Sequence, residues 1–383
     1  MIEGPRSVNT HYVEVPDDQQ ESEEDLSGGK IGFESVVLNA DWTIETINLQ
    51  VAKKNIDLSP RFQRRAAWDQ IRKSRLIESI IVGMPVPNIV LAEDKHQRGK
   101  FIVIDGKQRL ISLNTFINNE YALSGLDLRT DLNGKRFDDL DRADRDSFEN
   151  STLRSTVIKN WRDEEFLYVI FYRLNSGSLP LSPQELRKAL IGGKLIDHID
   201  SYITESVSFQ KIFGQGLDKR MRDSELVLRF LAFHNFLPTY QGDFKRFLDN
   251  TTRLFEDNWD AAQDDLRESL QTLDMALDAS ARIFGDDAFK KWLGDKYERV
   301  MNRAIFDCII RFFSSNMVRD LSLLKKDEVL DAFKDLCLDR DFRESIEKTT
   351  KTQKATFHRI SAWGEKLGGV VGRNYISQAA RIV

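Results

Sequence analysis

The segment Phe101-Ile102-Val103-Ile104-Asp105-Gly106-Lys107-Gln108-Arg109-Leu110 constrains this chain more than any other. An unbroken run of apolar strand formers has no polar face, so it must be buried as a strand. Asp105-Gly106 ends that strand, and Leu110, Leu113 and Phe116 then follow at helical spacing. The chain therefore turns sharply from a buried strand into a helix, with Asp105 and Arg109 carried at the junction. Helix starts present unpaired backbone N–H groups and a partial positive charge, and Gly106 has no Cβ to hold a ligand away. The junction suits a phosphate group, whether of a nucleotide or of a nucleic acid.

The flanking pattern extends this reading. Leu76, Ile77, Ile80 and Ile81 form one apolar stripe, which predicts a helix over 69–82 ending at Gly83. Pro85-Val86-Pro87 forces extended backbone into a strand over 88–92, and 93–100 reads as a polar hairpin loop returning into the strand 100–105. Trp42 to Val51 reads as a short amphipathic helix, Ile56 to Phe62 as extended, 127–150 as polar, and Leu153 to Ile158 as one more strand. From Glu164 onward helical periodicity dominates. Ser182-Pro183-Gln184-Glu185 combines a capping box with proline at the first helical position, and 223–237 and 297–313 are strongly apolar helix candidates.

With 383 residues, 41% hydrophobic and 31% charged, the chain can bury two cores. No apolar run approaches the roughly 18 residues of a membrane span; the best, Ile80 to Ala92, contains Pro85 and Pro87. The first residues show no basic-then-apolar export signal. Cys308 and Cys337 sit in apolar helical contexts and read as reduced core thiols of a cytoplasmic protein.

The net charge of −5 hides a division. Residues 1–30 carry eight acids and two bases, a net of −6, and read as a disordered acidic tail. The rest therefore carries 53 acids and 54 bases. Within it, 53–75 concentrates Lys53, Lys54, Arg61, Arg64, Arg65, Arg72, Lys73 and Arg75 against only Asp57 and Asp69. Such a segment fits DNA or another polyanion; a solvated helix face balanced by acids elsewhere is the alternative.

Several standard devices are missing from the sequence. Gly28-Gly29-Lys30 and Gly192-Gly193-Lys194 lack the spacing and the Ser/Thr of a P-loop. There is no Cys-x-x-Cys, and the five histidines are scattered singly, which argues against a zinc site and against an HNH nuclease hairpin. His234 and His358 read as core histidines on apolar helices.

What remains is an ordered set of motifs. Pro60-Arg61-Phe62-Gln63-Arg64 leads into Trp68, Leu76 to Pro87 follows, then Asp105 to Arg109, then Asn175-Ser176-Gly177 through Leu181-Ser182 to Glu185-Leu186-Arg187. In these four segments the chain resembles the N-terminal domain of GmrSD-type modification-dependent restriction endonucleases, a branch of the ParB/sulfiredoxin-like fold. The resemblance implies an α+β protein: a ParB/sulfiredoxin-like α/β domain at roughly 31–195 and a mainly helical domain at roughly 196–383. It also implies nucleotide binding or hydrolysis at the Asp-Gly-x-x-Arg turn, coupled to DNA cleavage in antiphage defence. Many relatives cleave with a separate C-terminal HNH-like domain, of which this sequence shows no sign, so a nuclease partner subunit is expected. Lys107 stands where the family has glutamine.

Phosphoryl transfer needs cations on the phosphates, a metal or base, and an oriented water. Asp105, Gln108 and Arg109 are the catalytic candidates, with Asp105 also the candidate Mg²⁺ ligand of an NTP–Mg²⁺ complex. Gly106, Lys107, Gln63, Arg64 and Asn175 are the candidate nucleotide contacts, and Lys53, Lys54, Arg61, Arg65, Arg72 and Lys73 the candidate DNA contacts. Blander readings stand beside these. Asp105 caps the following helix, Gln63 and Arg64 are surface residues, Asn175 and Gly177 shape a turn, and Trp68 belongs to the core. Two other functions stay open: a non-catalytic DNA-recognition module that recruits a nuclease, and a Mg²⁺-dependent PD-(D/E)xK-like hairpin using Glu93, Asp94, Asp105 and Lys107. Self-association of the chain is a further open expectation.

Overall fold

A computed structural model describes residues 35–383 except 57, 59–67, 96, 162–165, 168, 171–173, 175–181, 192, 219 and 349. The acidic tail, Arg61, Gln63, Arg64, Arg65, Asn175 and Gly177 lie outside the described residues. The protein is α+β: a small mixed sheet with its helices comes first, and a mostly helical region follows. Two compact units result, one running to Leu186 and the other spanning Arg187–Val383.

In the first unit the elements run β1 (Val36–Thr43), α1 (Ile44–Ala52), α2 (Gln70–Ile81), β2 (Ile89–Glu93), β3 (Phe101–Asp105), α3 (Lys107–Ile117), α4 (Arg142–Asn150) and β4 (Thr152–Lys159). The strand order is β1-β4-β2-β3, with β4 parallel to β2 and the other pairings antiparallel. Leu91 of β2 is central, paired with Val103 of β3 and Val157 of β4. Ile77, Ile89, Leu91, Leu113, Phe116 and Phe148 form the core between the sheet and the helices.

The predicted elements around the Asp-Gly turn are present, but β3 is an edge strand in which only Ile104 is buried, not the fully buried strand its apolar run predicts, because it has a strand partner on one side only. Asp69 caps α2 by accepting from the Arg72 N–H at 2.8 Å, and Gly83 past its end has φ +74°. Two elements differ from the sequence reading. Trp42 is the penultimate residue of β1 rather than the start of a helix, because Thr43 turns the chain and caps α1 through the Thr46 N–H at 3.1 Å. The polar stretch 127–150 holds α4, capped by Asp141, which accepts from the Asp144 N–H at 2.8 Å. Phe148 is its single buried apolar residue, so no periodic stripe announced it.

Buried Glu78 of α2 organises the intervening loop. Its carboxylate accepts the backbone N–H groups of Leu128 and Arg129, both at 2.7 Å. The Arg129 guanidinium in turn grips Asp144 through two bonds of 2.7 and 2.8 Å. These links give the part-buried loop N–H groups a fixed acceptor.

The second unit is built on a phenylalanine-rich core. Its helices begin within α5 (Pro183–Leu190) and continue through α6 (Lys194–Glu205), α7 (Val207–Phe213), α8 (Arg222–Phe236), α9 (Phe244–Asp257) and α10 (Trp259–Phe284). Then come α11 (Arg303–Phe313), α12 (Asn316–Leu324), α13 (Lys326–Leu338), α14 (Arg340–Glu347) and α15 (Gln353–Val371), closed by the short pair β5 (Tyr375–Ile376) and β6 (Arg381–Ile382). The capping box expected at α5 is formed: the Ser182 N–H donates to Glu185 Oε2 at 2.6 Å and the Glu185 N–H to Ser182 Oγ at 3.1 Å. The helix predicted over 297–313 starts only at Arg303, since Asn302 caps it through the Ala304 and Ile305 N–H groups. His234 is partly buried and stacks on Phe230 with ring centroids 5.0 Å apart, whereas His358 faces solvent, contrary to its reading as a core residue. No helix among the described residues is long and apolar enough to cross a membrane.

Candidate functional site

Strand β3 delivers Asp105 to the sheet edge, where it pairs with Val90 of β2. Gly106 then takes φ +92°, a left-handed conformation in which a Cβ would lie 2.5 Å from Ile89 Cγ2 and 3.1 Å from Arg109 Nη2. Glycine is therefore required twice over, by backbone conformation and by space. The turn starts α3 at Lys107, and Arg109 reaches back over it. Arg109 Nη2 donates to Asp105 Oδ2 at 2.7 Å and to the Asn88 carbonyl at 3.0 Å. Its side chain is 13% exposed and that of Asp105 is 34% exposed, so the pair sits at the surface with the carboxylate the more open member. Arg109 Nε is buried and has no hydrogen-bond partner.

Gln108 points elsewhere. Its Oε1 accepts the Trp68 N–H at 3.1 Å, which ties the first turn of α3 to the residues just ahead of α2. Trp68 itself is a partly buried neighbour of the core, in agreement with the bland reading of that residue.

The start of α3 differs from the other helix starts of this unit. Side chains cap α1, α2, α4 and α5 through Thr43, Asp69, Asp141 and Ser182. At α3 the N-cap is Gly106 and no side chain caps the helix, so Asp105 does not play the capping role. The helix thus starts at a residue with no side chain to cap it, beside a guanidinium with an unpartnered N–H.

Among the described residues no three His, Cys, Asp or Glu side chains converge. A Mg²⁺ ion at Asp105 would therefore take its remaining ligands from phosphate and water, the usual arrangement for Mg²⁺ with nucleotides. The PD-(D/E)xK-like alternative is corrected by the register. Glu93 pairs with Phe101 at the far end of the hairpin from Asp105, about 13 Å away at strand spacing, too far to share an ion. Glu93 instead contacts Lys159 Nζ at 3.6 Å and accepts the Gly99 N–H at 3.1 Å.

The described members of the basic segment do not lie together along β3. Lys53 and Lys54 are exposed at the end of α1, next to Phe101, whose N–H donates to the Asn55 carbonyl at 2.7 Å. They flank the end of the strand opposite the turn. Arg72 and Lys73 lie in the first turn of α2, with Lys73 Nζ 5.5 Å from the Tyr121 ring centroid. The sequence reading missed Asn88, which acts through its backbone carbonyl, and Ile89, which acts through its methyl group against Gly106. Neither contact leaves a residue-type signal.

Residues 45–192 match the family model of the GmrSD restriction endonuclease, N-terminal domain. That span contains every described element of the site. Neither a curated protein nor a solved structure matches the chain.

Proposed function

We propose that the β3–α3 turn binds and hydrolyses a nucleoside triphosphate with Mg²⁺, as the nucleotide-dependent part of a DNA restriction or antiphage system. The observation that carries this reading is the helix start without a side-chain cap at Gly106, set beside Arg109 with its unpartnered Nε. Backbone N–H groups of α3 would cradle phosphate oxygens, and the Arg109 fork would bind them bidentately. Asp105, the more open member of the pair, would hold Mg²⁺ or accept a proton. Lys107 would add a point charge. DNA contacts fall to the basic residues Lys53, Lys54, Arg72 and Lys73, and strand cleavage to a nuclease partner.

That no further carboxylate joins Asp105 among the described residues supports a second reading, in which the same cradle grips a DNA phosphate and the protein recruits a nuclease without turning over a nucleotide. Phosphate release from ATP, GTP, CTP and UTP with Mg²⁺, with and without modified phage DNA, separates the two. Turnover by wild type that Arg109→Ala and Asp105→Ala abolish, with DNA affinity largely kept, is expected. If those variants lose only DNA affinity and wild type releases no phosphate from any nucleotide, the enzymatic reading is wrong.

A further inference from the structure

The helical unit buries a second cationic cluster, assembled from three helices. Arg229 of α8 is held by Asp307 of α11, with Nε–Oδ1 at 3.1 Å and Nη2–Oδ2 at 2.6 Å. Arg303 Nη1 lies 2.8 Å from Glu225 Oε1, which also faces Arg229 at 3.9 Å. Arg359 of α15 stands 3.6 Å from Asp307 and donates from Nη1 to the Thr350 carbonyl at 2.6 Å. Among the ion pairs of the described residues, Glu225 and Asp307 are shared by the guanidiniums of Arg229, Arg303 and Arg359.

These arginines converge on one small pocket. Arg229, Arg303 and Arg359 line it with Lys351 and Phe244, around a volume of about 10 Å³. That volume admits one water-sized group. Phe244 supplies an apolar wall, its ring centroid 4.2 Å from the Arg229 guanidinium carbon. The Tyr240 hydroxyl donates to the Lys351 carbonyl and secures the rim. Arg359 is 1% exposed, and its Nε has no hydrogen-bond partner. A buried guanidinium N–H left unpaired costs far more than one that meets an acceptor, and an anionic acceptor meets the charge as well.

We propose that this pocket is an anion site that seats one oxygen of a phosphate group, separate from the β3–α3 turn. The pocket holds a single oxygen, with the rest of the phosphate lying outside against Lys351. Inorganic phosphate, a nucleotide tail and a DNA phosphate share this chemistry.

The test is thermal unfolding of the full chain in sodium phosphate against sodium chloride at matched ionic strength. Phosphate is expected to raise the unfolding temperature of wild type and of Arg109→Ala alike. Arg359→Met should lose that rise, read against its own unfolding temperature in chloride, which falls because the contacts to Asp307 and the Thr350 carbonyl go with the guanidinium. Lys351→Ala, at the rim, should weaken phosphate binding about tenfold and cover the case in which Arg359→Met fails to fold. Competition identifies the source: displacement of phosphate by a short DNA duplex points to nucleic acid, and displacement by nucleotides alone points to a small phosphate. Equal responses of wild type to phosphate and chloride, or a full phosphate response in Lys351→Ala and in folded Arg359→Met, would overturn the assignment.

Discussion

Arg109 Nη2 lies 2.7 Å from Asp105 Oδ2 and 3.0 Å from the Asn88 carbonyl, so one nitrogen ties the first turn of α3 to the end of β3 and to the entry of β2. The guanidinium is pre-oriented before any ligand arrives. Arg109→Lys keeps the charge and loses the fork. Under the hydrolytic reading it should lower NTP turnover by about 100-fold, the scale of one oriented donor lost from a charge-stabilising site. Steady-state phosphate release, read beside an unfolding curve that moves little, checks this.

Gly106→Ala should destabilise the first unit by about 2–4 kcal/mol, combining the cost of a left-handed non-glycine residue with overpacking. The clash is specific, since the added Cβ would lie 2.5 Å from Ile89 Cγ2. The double variant with Ile89→Ala should therefore lose about 1 kcal/mol less than the sum of the single variants. Denaturant unfolding measures both, and strict additivity would show that the side chain of Ile89 is not the obstacle.

Glu78→Ala should cost about 1–3 kcal/mol, because the part-buried loop N–H groups of Leu128 and Arg129 lose their acceptor. Hydrogen exchange should rise first at 127–129. A variant with wild-type protection at those amides would mean that water replaces the carboxylate.

Asp249 is buried in the helical unit between Arg187 Nε at 2.7 Å and Lys245 Nζ at 2.8 Å. Burial alone would raise its pKa, but the two cations outweigh burial and hold it below the usual carboxylate range. The carboxylate therefore contributes stability that is fully present above its unfolded pKa of about 3.9 and is lost as pH falls through the lower folded value. Asp249→Asn should cost about 3–5 kcal/mol at neutral pH, the scale for breaking a buried ion pair, and should flatten the stability curve below about pH 4. Stability measured from pH 2 to 7 on both proteins decides the point.

Burial pushes the Cys308 thiol up to about 12 and the Cys337 thiol up to about 11, and both are unpaired. Neither should react with a thiolate-selective reagent at pH 8 in the folded protein, and both should react in denaturant. A fast-reacting thiol in the native state would show that the helical core opens locally.

The strand–turn–helix of the site was legible because all of its signals fall in one short stretch from Phe101 to Phe116: an apolar run, Asp-Gly, and a renewed helical stripe. The same holds for the Ser182–Glu185 capping box and for α2 between Asp69 and Gly83. What escaped was carried by single residues or by backbone. In β1, Val36, Val37 and Leu38 are all substantially exposed, so the strand has no buried alternation to read. In α4 one phenylalanine faces the core.

By itself, the sequence determined which segments become strand, turn and helix around Asp105, and that glycine must follow it. These are local choices, set by periodicity and by the conformations each residue allows. Only the tertiary structure decided which charges are surface and which are built in. Glu78, Arg187, Arg229, Arg303 and Arg359 look like ordinary polar helix residues, yet each is buried against partners 49 to 78 residues away in sequence or on another helix. A charge can be buried only where the fold brings its counter-charge or acceptor, and that meeting is a property of packing rather than of any single segment.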